Sequence, residues 1–243
     1  MQDPVVALED DQPFFFTCSP QVPCFNACCR NLNQVLTPYD VLCLAHHLRM
    51  TSGAFLSAYT ETNIGVGSGL PVVSLRFADA NDLACPFVSP EGCRVYPARP
   101  ASCRTYPLAR GVSRNRQTGK LNEHWALIQE AHCMGFAFGR RRTVDQWVND
   151  QALSIHNRMN DMMLDLIGAK NRFRPGPLKP DEQKQVFTAL YDLDAFRRIV
   201  PAGSGQQENA PSERSPARTH AEMVELLIDA MNFVCRHVFS VRA

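Results

Sequence analysis

Ten cysteines stand at Cys18, Cys24, Cys28, Cys29, Cys43, Cys85, Cys93, Cys103, Cys133 and Cys235, so nine of them fall in the first 133 of 243 residues. This crowding limits what the chain can fold into more than any other feature. Four sit in the stretch Cys18-Ser-Pro-Gln-Val-Pro-Cys24-Phe-Asn-Ala-Cys28-Cys29. Its two prolines cannot extend a helix or a strand, and the segment reads as a looped knuckle. Cys85, Cys93 and Cys103 are threaded through Pro and Gly turns, and Cys133 follows later. The loop cysteines thus form two sets of four.

That number suits tetrahedral thiolate chemistry, since Zn(II) takes four cysteines in a closed site and a 4Fe-4S cluster also takes four. Side chains of neighbours in an extended loop point apart. Cys28 and Cys29 are therefore expected to serve one site each, or one of them to stand aside as a redox-active thiol. The opening Met1–Phe16 is acidic where a signal peptide is basic, and no apolar run approaches the roughly 20 residues that cross a bilayer. A cytoplasmic protein with no membrane partner is expected, and its thiols stay reduced. Metal binding then explains the cysteines better than disulfides or burial as small hydrophobes. Cys43 and Cys235 lie in the apolar helical stretches TPYDVLCLAHHL and EMVELLIDAMNFVCRHVF and read as core.

The fixed spacings of Cys18, Cys24-Phe-Asn-Ala-Cys28-Cys29, Cys85-Pro-Phe, Cys93-Arg-Val-Tyr96-Pro-Ala-Arg99-Pro100-Ala-Ser-Cys103-Arg104-Thr-Tyr-Pro107 and Cys133 resemble the YkgJ-type cysteine-cluster family over residues 14–140. The piece from Cys93 to Arg104 is the most specific. The five residues between Cys18 and Cys24 depart from the family pattern. The resemblance implies a zinc- or iron-chelating domain, and a flagellin lysine N-methylase is a related protein that shares a cysteine-cluster region.

The expected fold is α+β: a small metal-stabilised cysteine-cluster domain with short antiparallel strands and covering helices, followed by a helical C-terminal region. Residues 1–13 read as a flexible acidic arm, 14–140 as the metal domain, 141–200 as helical, 201–218 as a disordered linker poor in apolar groups and 219–243 as a C-terminal helix. Thr37 with Pro38 predicts a capped helix, and a second follows near Gly53. Helical spacing over 140–168 predicts one helix there, with its methionines packed in the core. Leu70–Phe77 alternates as a strand, Cys85–Val88 and Cys93–Tyr96 as shorter ones, and Arg99–Arg104 opens a short helix.

A net charge of +1 removes any global argument for nucleic acid or an anionic membrane. Locally, Arg94, Arg99, Arg104, Arg110, Arg114, Arg116, Lys120, Arg140, Arg141 and Arg142 face Glu123 and Glu130 alone. Either this is an anion-binding surface, or Arg94, Arg99 and Arg104 offset the negative charge of metal-bound thiolates; the second is preferred. Arg140–Arg142 reads as a solvated helix start or linker. His46, His47 and His132 are the histidines near cysteines, and His132 reads as a neighbour of the site, not a ligand. No G-x-S-x-G, Walker A, G-x-G-x-x-G, H-E-x-x-H or C-x3-C-x2-C pattern occurs, which removes the commonest hydrolase, NTPase, dinucleotide, zincin and radical-SAM classes. The expected function is a metal-binding protein holding zinc or an iron–sulfur cluster through eight cysteines, in an accessory or redox role with a protein partner. The rivals are a cluster-dependent enzyme such as a lysine N-methylase-like transferase, and a thiol-based metal or redox sensor.

Overall fold

A computed structural model describes residues 5–9, 11–77, 83–115, 117–199 and 219–241. In chain order its elements are β1 (Val5–Leu8), β2 (Phe14–Phe16), β3 (Val35–Leu36), α1 (Pro38–His47), α2 (Ser52–Tyr59), β4 (Thr60–Ile64), β5 (Pro71–Leu75), β6 (Val88–Ser89), β7 (Gly92–Cys93), α3 (Ala101–Thr105), β8 (Leu108–Arg114), β9 (Leu121–Ile128), β10 (Arg140–Arg142), α4 (Val144–Asp150), α5 (Leu153–Phe173), α6 (Pro180–Leu190), α7 (Leu193–Ile199) and α8 (His220–Phe233). The fold is mixed α+β. Contacts divide it into two units, Met1–Leu32 with Phe77–Asn157, and Asn33–Arg76 with Arg158–Ala243. Among the described residues no helix is long and apolar enough to cross a membrane.

The first unit is built from small antiparallel sheets. β9 lies between β1 and β8, β2 pairs with β10, and β6 pairs with β7. Alternation along β2 turns Phe14 and Phe16 inward and leaves Phe15 exposed. The two inward rings meet Leu108, Leu127, Trp147 and Leu153 in one apolar cluster, with edge-to-face contacts of 5.9 and 5.6 Å from Phe14 and Phe16 to Trp147. The Trp147 indole N–H donates to the Arg104 and Thr105 carbonyls, so this large ring is buried without an orphaned donor. Gly139 lies where a Cβ would come within 2.4 Å of the Phe15 carbonyl carbon, which allows the chain before β10 to approach β2.

The second unit packs helices beside the β3-β5-β4 sheet. α1 begins with a capping box in which Thr37 and Asp40 satisfy each other's backbone N–H groups, with Pro38 at its first turn. Thr219 and Glu222 cap α8 in the same way. α1 packs on α2 and α8, α2 on α7, and α6 on α7 and α8.

Several expectations change. The acidic start carries β1, whose Val5–Leu8 register runs antiparallel to Trp125–Ile128; a strand partner far away in sequence orders what local charge suggested was loose. The α1 and α2 pair, expected to cover the cysteines, groups with the C-terminal helices, because its apolar face meets α7 and α8. The single helix expected over 140–168 is instead β10, α4 and α5, interrupted where Ala152 takes a left-handed φ of 51°. Arg140–Arg142 is a strand opposite Phe16–Phe14, not a helix start or linker, and Arg140 and Arg141 are exposed. The β8–β9 hairpin went unforeseen. Residues 201–218, expected as a linker, lie outside the described residues, as do Arg116 and residues 1–4 and 10 of the acidic start.

Candidate metal centre

The knuckle is shaped by Asn26, whose left-handed φ of 67° starts a single 3-10 turn, Ala27–Cys29. Backbone bonds from Ala27 N–H to the Cys24 carbonyl and from Cys29 N–H to the Asn26 carbonyl close it. Three contacts then tie it to the second cysteine group. Cys85 N–H donates to the Cys29 carbonyl at 2.8 Å, Asn31 N–H to the Leu83 carbonyl at 2.9 Å, and the Asn26 side-chain amide to the Ser89 carbonyl at 3.0 Å. In the β6–β7 turn Gly92 has φ 128°, and the Phe25 ring lies 3.2 Å from where a Cβ would be. Glycine is required here on both counts.

Cys18, Cys24, Cys28 and Cys133 line one cavity with Phe16, Val22, Tyr106, His132 and Gly135. Burial first, then the neighbouring Cys28, Cys24 and Cys133 sulfurs, push the Cys18 thiol up to about 11. Cys29 bridges toward the second group: the hydrogen bond it shares with Cys28, burial, and the Cys28, Cys85 and Cys103 sulfurs push its thiol up. The same shared bond draws Cys28 down to about 7. Burial raises the Cys85 thiol, with Cys93 adding to the rise, so Cys29, Cys85, Cys93 and Cys103 make a second electrostatic neighbourhood. Among the described residues no three Cys, His, Asp or Glu side chains converge tightly enough to hold a metal ion as they stand. The sets are neighbourhoods of cysteine side chains, not coordination shells. Closing such a set requires its protons to leave as the cation enters.

The donor chemistry fits a metal. Backbone N–H groups of Phe87 and Val88 reach the Cys85 sulfur, that of Val95 reaches Cys93, and that of Gly135 reaches Cys133, each favouring thiolate. Met134 N–H lies 3.1 Å from the Cys24 sulfur. Amides aimed at sulfur from the next turn are the donors that a metal-bound thiolate needs around it. The Tyr106 hydroxyl is buried with no hydrogen bond of normal geometry. Burial first, then the Cys133 thiol, raises its phenol. Nothing in the sequence beyond its place after Arg104-Thr105 marked Tyr106.

The arginines divide. Arg94 favours thiolate at Cys85 and Cys93, and Arg99 does so at Cys93 and Cys18. Arg99 lies 3.7 Å over the Tyr96 ring and donates to the Tyr96 carbonyl and the Gln151 side chain. Arg104 instead directs its guanidinium at three backbone carbonyls, of Arg99, Gln151 and Pro97. It clamps the loops behind the cysteines. The rest of the basic stretch is dispersed, with Arg110 on Glu123, Arg114 on the Gly119 carbonyl and Arg142 on Asp150. His132 lines the cavity and lies 3.6 Å from Glu130. His46 and His47 belong to the other unit, and Cys43 and Cys235 are half-buried there.

No curated protein and no solved structure matches the chain. Residues 17–133 match the family model CxxCxxCC, described as "Putative zinc- or iron-chelating domain". That span, a little under half of the chain, holds the cysteines from Cys18 to Cys133 that the fold brings into two neighbourhoods, so over these residues the chain is similar to zinc- or iron-chelating domains.

Proposed function

We propose that the protein holds metal at two all-cysteine sites, Cys18, Cys24, Cys28 and Cys133 in one and Cys29, Cys85, Cys93 and Cys103 in the other, in an accessory or redox role in a reducing compartment such as the cytoplasm. The observation that supports this reading is that Cys18, Cys24, Cys28 and Cys133 line one cavity while Cys29 lies near the Cys85 and Cys103 sulfurs. Four thiolates suit a zinc ion and a 4Fe-4S cluster alike, and either leaves a net charge of about −2 per site. Arg94 and Arg99 offset that charge while the backbone amides hold the sulfurs in place. When bound, zinc supplies structural cross-linking and a cluster supplies one-electron transfer. Zinc, iron and acid-labile sulfide counted per chain in anaerobically purified protein test the reading. Two zinc ions, or eight iron and eight sulfide, are expected. Fewer than two filled sites, or a count that survives Cys24→Ser and Cys93→Ser together, overturns it.

A further inference from the structure

Cys43 lies within the matched span by number, yet by contact it belongs to the second unit, apart from the eight sulfurs above. Its Sγ is 3.6 Å from Nε2 of His220. Tyr39, Cys43 and His46 recur at helical spacing on α1, and all three face that imidazole. The Tyr39 ring centroid lies 5.8 Å and the His46 centroid 5.6 Å from it, both edge-on. These contacts hold the imidazole against the sulfur. His220 is also the first residue of α8, at the end of a helix where negative charge is favoured. A thiol against an imidazole at such a place is the arrangement that yields a nucleophilic sulfur. Cys43 is half-buried, so part of it meets solvent.

We infer that Cys43 is a modification site whose sulfur reacts with hydroperoxides, using His220 as its base, whatever the metal content of the first unit. The Cys43 proton passes to Nε2 of His220. The thiolate attacks one peroxide oxygen, the O–O bond breaks, and an S–O bond forms. Sulfur is oxidised by two electrons to the sulfenic acid, and the peroxide is reduced to an alcohol or water, which takes its proton from His220. Cys235 is the internal reference: it is half-buried in the same unit, but burial pushes its thiol up, Asp165 adds to the rise and Arg236 opposes it.

The test treats the full-length protein, as purified, with limiting hydrogen peroxide in the presence of dimedone and reads each cysteine peptide by mass spectrometry. Cys43 should be labelled at least about threefold faster than Cys235, a modest ratio because a more ionised thiol is also a weaker nucleophile. His220→Ala should remove about that factor at Cys43 and leave Cys235 unchanged. Equal labelling of the two cysteines, or a Cys43 rate that His220→Ala leaves the same, overturns the inference. If His220→Ala instead loosens the α1–α8 packing, Cys43 labelling rises with its exposure, and a rise also counts against it.

Discussion

In the second unit Leu36, Leu44, Phe55, Leu190, Leu227 and Phe239 are fully excluded from solvent, and helices α1, α2, α6 and α8 carry four of them. The cysteine loops of the first unit bury Val22, Phe87 and Val95 between strands of two residues, and their larger apolar cluster lies around Trp147. One unit is held by side-chain packing; the loops of the other are held by backbone bonds, an arginine clamp and sulfurs that meet. Strands of that length do not stand alone in water. Where packing is this thin, the energy of metal–ligand bonds becomes folding energy.

The sharpest way to break this contrast is to take the metal away. Cys24→Ser with Cys93→Ser, or exhaustive chelation, should abolish hydrogen-exchange protection through residues 18–32 and 83–105 while α6 and α8 stay protected, since structural sites are worth about 10–16 kcal/mol. Uniform loss of protection in both units would erase the distinction. The converse perturbation is Leu190→Ala, which leaves a cavity in the second unit and should cost about 2–5 kcal/mol there with no change in metal content. Both units' melting and a metal assay on the same sample check it.

Smaller effects sharpen the comparison. Arg99→Ala should raise metal loss to a chelator by an amount equivalent to about 1–3 kcal/mol, the scale of a lost charge-assisted contact, whereas Arg114→Ala, on the hairpin turn, should not. Tyr106→Phe removes a hydroxyl that otherwise donates to a bound Cys133 thiolate; with cobalt as the probe metal, a shifted sulfur-to-cobalt absorption is expected, and an unchanged spectrum would free Tyr106 from the site. The smallest change belongs to the second unit. Arg174 holds the half-buried Glu182 carboxyl below its ordinary value of 4.5, so its stabilisation is present above that value and fades as pH falls through the lowered one. Glu182→Gln should flatten the acid limb of the unit's melting curve slightly.

What the sequence made legible was local. Thr37-Pro38 announced its helix because caps act within three residues. The β6–β7 region and α3 followed from Gly92 and Pro100. What stayed hidden was long-range. β1 pairs with β9 across more than a hundred residues, and neither strand alternates cleanly enough to reveal it. β8 contains Gly111 and mixes polar with apolar residues without clean alternation, so its hairpin offered only the Asn115–Gly119 turn as a signal. The grouping of Asn33–Arg76 with the C-terminal helices depends on which apolar faces meet, which periodicity does not encode. Arg104 resembled Arg94 and Arg99 in sequence. Its donors went to carbonyls because the loops behind the cysteines leave three of them converging.

The peptide bond between Cys28 and Cys29 also has a consequence for assembly. On the proposed two-site reading, both sets share the 3-10 turn through that bond, so whichever fills first removes freedom that the other would otherwise lose on its own. The entropy of closing the loops is then shared, and the second metal should enter more readily than the first. During a titration, molecules carrying a single occupied site should be scarce, and native mass spectra should pass from empty to doubly loaded with little between.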